Sequence, residues 1–129
     1  MRGWIMAAVL ATAPLGLMGG AMAAPADDSQ DGFNCANPTT QIEMNICSNK
    51  DYLRADAALN RAYKTAMADE DAHGRDLLRT AERAWIKFRD AHCQYAASGS
   101  EGGTMHPMDY NGCVTALTDL RTKQLKEGR

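Results

Sequence analysis

The sequence has no two cysteines at the close C-x-x-C spacing. Its four cysteines, Cys35, Cys47, Cys93 and Cys113, are separated by 12, 46 and 20 residues. Zinc sites and thiol redox centres use closely spaced pairs, so neither is expected. An even number of cysteines in a small exported chain instead predicts two disulfide bonds.

The sequence also lacks the groups that carry catalysis. It has no phosphate-binding loop, no nucleophile beside a base and no set of metal ligands. Carboxylates such as Glu70, Asp71 and Glu82 are plentiful, but charges on helix faces are usually solvated surface. We therefore expect no enzyme activity and no cofactor.

A basic excess is missing as well, since the formal net charge is −2. Nucleic-acid binding needs a basic patch and is disfavoured.

β-branched residues are sparse and no run of residues alternates convincingly between apolar and polar, so no sheet is expected.

The first 23 residues have the pattern of a secretory signal peptide. Arg2 precedes the apolar run "WIMAAVLATAPLGLMGG", and "AMAA" supplies a small-x-small cleavage site before Ala24. Pro14 and the glycines make this run a poor spanning helix, and no basic stop-transfer cluster follows. No cysteine follows the site, so a lipid anchor is not supported. We expect a periplasmic or secreted protein of net charge −3 after loss of Arg2, without a stable membrane anchor.

The rest of the chain divides into a flexible leader, residues 24–34, and a helical domain, residues 35–127. Thr40 and Glu43 form a capping box that starts a first helix, which runs to about Ala68 with a weak point at 48–51. Gly74 is the expected turn residue. The apolar stripe of this helix comprises Ile42, Ile46, Leu53, Leu59, Tyr63 and Met67.

Two further helices follow. The second ends near Ser98, and "SGSEGGT" is a loop because three of its seven residues are glycine. Thr104 is the expected cap of the third helix, with Pro107 in its first turn. In both helices residues recur every three or four positions, which predicts one buried stripe on each. The stripe of the second helix comprises Leu78, Ala81, Trp85, Phe88, His92 and Tyr95. The stripe of the third comprises Tyr110, Cys113, Leu117, Leu120 and Gln124.

These elements predict an all-α fold, a small up-down-up bundle of three helices with two disulfide bonds. In that arrangement all four cysteines lie at one end of the bundle. Four cysteines allow three connectivities. We favour Cys35–Cys47 and Cys93–Cys113, because the second pair flanks the glycine loop and Cys35 can fold back onto the first helix.

The segment "WIKFRDAHC", Trp85–Cys93, combines aromatic, charged and cysteine residues. Trp85 and Phe88 are interpreted as core residues, and His92 as a hydrogen-bonded core histidine. Adjacent residues on a helix do not face each other, so Arg89 and Asp90 are expected to have different partners.

Five segments occur in an order that resembles the LprI-like lysozyme-inhibitor domain family: "CANPTTQIEMNIC", "LRADAALNRAY", "LRTAERAWIKFRDAHC", "GGT" and "CVTALTDLRTKQL". The resemblance covers roughly residues 35–125. The family's namesake resembles a lipid-anchored protein, whereas this chain lacks the lipid-attachment cysteine. The matching positions are Cys35, Glu43, Cys47, Asp56, Leu59, Asn60, Tyr63, Ala84, Trp85, Arg89, Asp90, Cys93, Gly103, Cys113, Thr118, Arg121 and Leu125.

The resemblance implies a non-catalytic inhibitor whose partner is lysozyme or another cell-wall hydrolase. The alternative is a structural or interaction module of the cell envelope, bound to another protein or a wall fragment. The polar matching positions are interpreted as a structural network that fixes helix register, with Asp56 as the first choice of partner for Arg89. The alternative is a polar binding patch on one face of the bundle. That network comprises Asp56, Asn60, Arg89, Asp90 and Arg121.

The glycine loop is the candidate partner-binding element, although it can also be a plain helix connection. Ser100 and Thr104 offer hydroxyls, and Glu101 can meet the cationic rim of a lysozyme. The oligomeric state is not predicted. The loop residues are Gly99, Ser100, Glu101, Gly102, Gly103 and Thr104.

Overall fold

A computed structural model describes residues 32–128 of the chain. It contains three long helices, α1 (Gln41–Ala68), α2 (Ala72–Ala96) and α3 (His106–Glu127), and a short 3-10 turn, Ser98–Ser100, between α2 and α3. The predicted all-α three-helix fold is confirmed, and residues 32–128 contain no strand. The predicted signal peptide, 1–23, and the leader as far as residue 31 lie outside the described residues and stay predictions.

The first helix begins where the capping box predicts. The Thr40 hydroxyl accepts from the Glu43 amide, and the Glu43 carboxylate accepts from the Thr40 amide. The helix continues through 48–51 without a break, and the Ser48 hydroxyl donates to the Asn45 carbonyl. The turn to α2 occupies 69–71, with Asp71 as the cap of α2. Gly74 lies inside α2, so its assignment as the turn residue was wrong.

The helices run up, down and up. The start of α1 lies beside the start of α3, because the Asn45 amide donates to the Thr104 carbonyl and the Asn111 amide donates to the Ser48 hydroxyl. The α1–α3 interface is the largest in the bundle. The second helix packs mainly on α3 and touches α1 least, so α1 and α2 leave a cleft between them.

The core is small and partly polar. Small residues such as Ala55 and Ala62 let the α1 backbone approach α3 closely. Thr118 and Thr122 are buried on α3, and the Thr122 hydroxyl donates to the Thr118 carbonyl. The buried apolar residues are Cys47, Ala55, Leu59, Ala62, Cys93, Ala97 and Val114.

The buried stripe of α2 differs from the predicted one. Phe88 is 57% exposed, His92 is exposed and Trp85 is only half-buried. The inward positions are Glu82 and Arg89, together with Cys93. The assignments of Phe88 and His92 to the core were therefore wrong. On α3 the stripe is displaced in the same direction, with Leu120 and Gln124 exposed and Val114, Thr118 and Thr122 buried.

Both predicted disulfide bonds, Cys35–Cys47 and Cys93–Cys113, are present, and no cysteine of the described chain is free. They lie at the end of the bundle where α1 and α3 begin and α2 ends. On a loop-entropy model each stabilises the fold by about 3 kcal/mol.

Within residues 32–128, no helix combines the length and apolar character that crossing a bilayer requires.

Candidate partner-binding loop

The connection from α2 to α3 is an ordered turn. The Ser100 amide donates to the Ala97 carbonyl (3.1 Å) and the Glu101 amide to the Ser98 carbonyl (3.2 Å). The Gly103 amide then donates to the Ser100 carbonyl at 2.9 Å. These successive bonds satisfy backbone groups inside the loop, so its shape is set by its own backbone.

The loop is attached to the bundle at both ends. Cys93–Cys113 joins the last turn of α2 to the second turn of α3. The His106 Nδ1 lies 3.1 Å from the carbonyl oxygen of buried Ala97. The Asn45 amide of α1 donates to the Thr104 carbonyl at 2.9 Å. All three helices therefore hold the loop.

Most of the predicted loop residues are exposed. Gly99, Glu101, the two following glycines and Thr104 face solvent, whereas Ser100 is half-buried with its hydroxyl donating to the Ala97 carbonyl. Glu101 is the one charged residue between Ala97 and Met105. The exposed tip therefore consists mostly of backbone and carries a single carboxylate.

Two glycines at the tip have a geometric reason. Gly102 has a φ of 78°, in the left-handed region that favours glycine. A Cβ on Gly103 would lie 3.1 Å from the Ser100 carbonyl oxygen. Thr104, in contrast, does not cap α3, because the cap residue is Met105 and the helix starts with His106 and Pro107. The predicted capping role of Thr104 was therefore wrong.

Arg89 lies at the centre of the predicted polar network. It is 6% exposed, and its Nε and Nη2 donate to the Asp90 carboxylate at 2.9 and 2.8 Å. Its guanidinium carbon lies 5.5 Å from the centre of the Tyr52 ring and 5.3 Å from that of Trp85. Nη1 donates to the Thr118 hydroxyl at 3.4 Å. One side chain thus bridges all three helices.

The pairing of Arg89 differs from the expectation in two ways. Asp90 is its carboxylate partner, although the residues are adjacent, because the long arginine side chain folds back over its own helix. Asp56 instead accepts from the Asn60 amide one turn along α1, at 3.0 Å. The expectations of separate partners for Arg89 and Asp90, and of an Arg89–Asp56 pair, were wrong.

This environment changes two pKa values. Burial alone would lower the pKa of Arg89, but its interactions with the Asp90 carboxylate and with Tyr52 together more than offset burial, and the pKa is raised. Burial raises the pKa of the nearby Tyr110 phenol, and the Asp90 charge adds to that effect. Arg89 stays a cation, which suits a fixed structural bridge rather than proton transfer.

A second ion pair joins α2 to α3. Arg121 Nε donates to the Glu82 carboxylate at 2.6 Å, and both side chains are largely buried. The interpretation of Glu82 as solvated surface was wrong. The predicted residues therefore do not form one network. They form three separate pairs, which are Arg89 with Asp90, Asp56 with Asn60, and Arg121 with Glu82. Sequence reasoning missed the partners Tyr52 and Glu82, because these contacts join different helices and spacing along one helix does not report them.

A groove lies at the opposite end of the bundle from the disulfides. It encloses about 710 Å³ between the end of α1, the start of α2 and the end of α3. Arg61, Arg121 and Lys126 are at its margin with Asp69 and Glu70. Its apolar lining includes Ala58, Ala62, Leu77, Leu78, Ala81 and Leu125.

No cluster of three or more metal-binding side chains occurs in the part of the chain that the structure describes.

Comparison with known proteins agrees with this arrangement. The family described as "Lysozyme inhibitor LprI" matches residues 34–125, which include both disulfides, the loop and all but the last two residues of α3. The chain belongs to the LprI family. The family match covers most of the chain and the whole of the positions on which the sequence resemblance depends.

Two curated relatives extend the comparison. The chain is 38% identical over 117 residues to "Uncharacterized protein R02472" of Rhizobium meliloti (strain 1021), covering 81% of this chain and 84% of that protein. It is 27% identical over 108 residues to "Uncharacterized protein YecT" of Escherichia coli (strain K12), covering 70% and 67%. No solved structure matches the chain.

Proposed function

We propose that this protein is an exported, non-catalytic inhibitor of lysozyme that acts by occluding the muramidase cleft. Membership of the LprI family over residues 34–125 carries the proposal. Two disulfide bonds support an oxidising compartment, the periplasm or the exterior of the cell. An inhibitor of this kind needs no catalytic group, since it only has to prevent the polysaccharide from entering.

The contact element in this proposal is the loop Gly99–Thr104. Its backbone is already ordered by internal hydrogen bonds and by three helices, so little conformational entropy is lost when it binds. Its exposed glycines carry no side chains, which limits the bulk that has to enter a substrate cleft. Glu101 adds an exposed negative charge that attracts the cationic surface of a lysozyme and raises the association rate.

The test is inhibition of muramidase activity across a salt series with lysozymes of different classes. Glu101→Lys is expected to weaken inhibition by about tenfold at low ionic strength and by less than about twofold near 0.5 M salt, where charges are screened. The matched control is Asp119→Lys, which changes the net charge equally on an exposed position about 20 Å along α3 from the loop. The control should inhibit like the parent protein.

Deletion of Glu101–Gly103 should abolish inhibition at every salt concentration while circular dichroism shows intact helices. Full inhibition by that folded variant would move the contact to a helix face. No inhibition of any lysozyme class by the parent protein would overturn the proposal and favour a cell-envelope interaction module.

A further inference from the structure

The second helix presents an unbroken apolar stripe to solvent. Its residues are spaced by four, three, four, three and four positions, which is the heptad spacing of a coiled-coil seam over about three heptads. The seam consists of Leu77, Ala81, Ala84, Phe88, Ala91 and Tyr95.

This seam is not covered by the rest of the bundle. Leu77 and Phe88 are each 57% exposed, Tyr95 is 78% exposed, and the three alanines are exposed. The cause is the packing of α2, whose inward face, with Glu82, Arg89 and Cys93, is directed mainly to α3 and contacts α1 least. The seam offers about 500 Å² of apolar surface, at the upper end for a monomeric protein.

We propose that the seam is the contact surface of a homodimer, in which the α2 helices of two copies pair antiparallel about a two-fold axis near residue 86. A two-fold axis places each residue opposite its counterpart on the other copy. In this register Phe88 meets Ala84 of the second copy, and Leu77 meets Tyr95. Ala81 meets Ala91. Only the Ala81–Ala91 layers therefore pair two side chains of the same size.

The pattern of large and small residues selects the antiparallel direction. In a parallel pair Phe88 would lie against Phe88 and Ala84 against Ala84, so layers with too much side-chain volume would alternate with layers that leave a cavity. Overpacking and cavities both destabilise a packed interface. The antiparallel pair places the large phenylalanine over the small alanine twice, at the centre of the contact.

The groove completes this contact. Leu77 and Ala81 belong both to the seam and to the groove lining. In the antiparallel register Tyr95 of the second copy lies at the groove, where Leu77 and Leu78 can cover its ring and the amide of Gln124, another lining residue, can donate to its hydroxyl. Tyr95, which is 78% exposed, thus enters the groove of the second copy.

The area is appropriate for a weak dimer. Two seams remove about 1,000 Å² of apolar surface from water before flanking side chains are counted, which reaches the lower limit for specific interfaces. Micromolar association is therefore expected. Lys87 lies beside the seam, close to the two-fold axis, so the two Lys87 ammonium groups repel each other. Screening by salt should strengthen the dimer.

Sedimentation equilibrium of the oxidised protein, at about 1 to 500 µM, tests the proposal. The parent protein should dimerise, and more tightly at 0.5 M than at 0.05 M salt. Phe88→Glu should remain monomeric throughout. The control is Leu53→Glu, since Leu53 is 56% exposed but lies on the side of α1 opposite the groove residue Ala62, and it should dimerise like the parent.

Tyr95→Ser provides a second seam variant if Phe88→Glu does not fold, and it should weaken dimerisation by at least about tenfold. A parent protein that stays monomeric at 500 µM, or a dimer that Phe88→Glu and Tyr95→Ser leave intact, overturns the proposal.

The direction of pairing is tested by a short amine-reactive cross-linker on a mixture of ¹⁴N- and ¹⁵N-labelled copies. A mixed-isotope Lys87–Lys87 peptide is expected from the dimer, and its absence from a cross-linked dimer would contradict the register. Lysozyme inhibition is measured on the same variants. Because the seam substitutions leave Gly99–Thr104 unchanged, loss of dimerisation with inhibition retained separates this proposal from the proposed function.

Discussion

Replacing Arg89 by alanine should destabilise the fold more than any substitution of an exposed arginine. The guanidinium lies against two aromatic rings, and each contact contributes about 0.5–1 kcal/mol. Its hydrogen bonds to Asp90 add about 1 kcal/mol after allowance for the half-exposed carboxylate. The buried stem leaves a cavity when it is removed. Together these contributions predict a loss of about 2–4 kcal/mol in the free energy of unfolding.

The loss can be measured by urea denaturation with the disulfides intact, and should correspond to a fall in Tm of about 10–20 °C for a domain of this size. Arg89→Lys keeps the charge but loses the planar fork, so it should lie between the parent and Arg89→Ala. Arg83→Ala removes an exposed arginine from the same helix and should change stability by no more than about 0.5 kcal/mol.

A change below about 1 kcal/mol for Arg89→Ala would refute the reasoning from burial and ring contacts. If that variant also lost lysozyme inhibition, Arg89 would have to be reassigned from helix register to partner contact.

Two further predictions concern charged groups with buried or capping partners. Hydrogen bonds from the Thr39 amide, the Thr39 hydroxyl and the Thr40 amide lower the pKa of Glu43. The ionised Glu43 carboxylate therefore stabilises the folded state above the ordinary glutamate pKa, and this contribution is lost as the pH falls through the lowered pKa. In thermal melts below about pH 5, the Tm of the parent protein should therefore fall more steeply with pH than the Tm of Glu43→Gln. Arg121→Ala should lower the free energy of unfolding by about 2–4 kcal/mol because it leaves the buried Glu82 carboxylate unpaired, and Glu82→Leu combined with Arg121→Met should recover most of that loss in chemical denaturation.

The elements that sequence predicted best are those fixed by local chemistry. The capping box at Thr40 and Glu43 places the start of α1 correctly, because both hydrogen bonds form within four residues. The disulfide pairing also follows from the order of the helices and the position of the loop. Proline at 107 marks the first turn of α3 for the same local reason.

The inward face of α2 could not be predicted from apolar spacing. Phe88 and Tyr95 form the stronger apolar pattern, so a rule that places apolar residues inside selects the wrong face. The packed face instead carries Glu82 and Arg89, and burying them is favourable only because Arg121 and Asp90 supply opposite charges. Such partners are set by tertiary packing, which spacing within one helix does not report.

The loop, too, could be predicted from the sequence only in part. Its three glycines predict its position and length, and the exposed tip lies where it was expected. Its rigidity depends on Asn45, which is 59 positions from Thr104 in sequence, and on the contact of His106 with Ala97. Neither of these two bonds has a signal in the sequence.

Because both disulfides lie at one end of the bundle, that end is cross-linked and the opposite end is not. Local opening should begin at the turn 69–71, about 33 Å along the helices from Cys47 and Cys93, and at the last residues of α3. Backbone amides there should exchange with solvent before those around Cys93 and Cys113. A protease acting on the folded protein would then cut first at the α1–α2 turn. A nicked molecule would keep the loop in shape and lose the groove, so damage would proceed from the end that does not carry Gly99–Thr104.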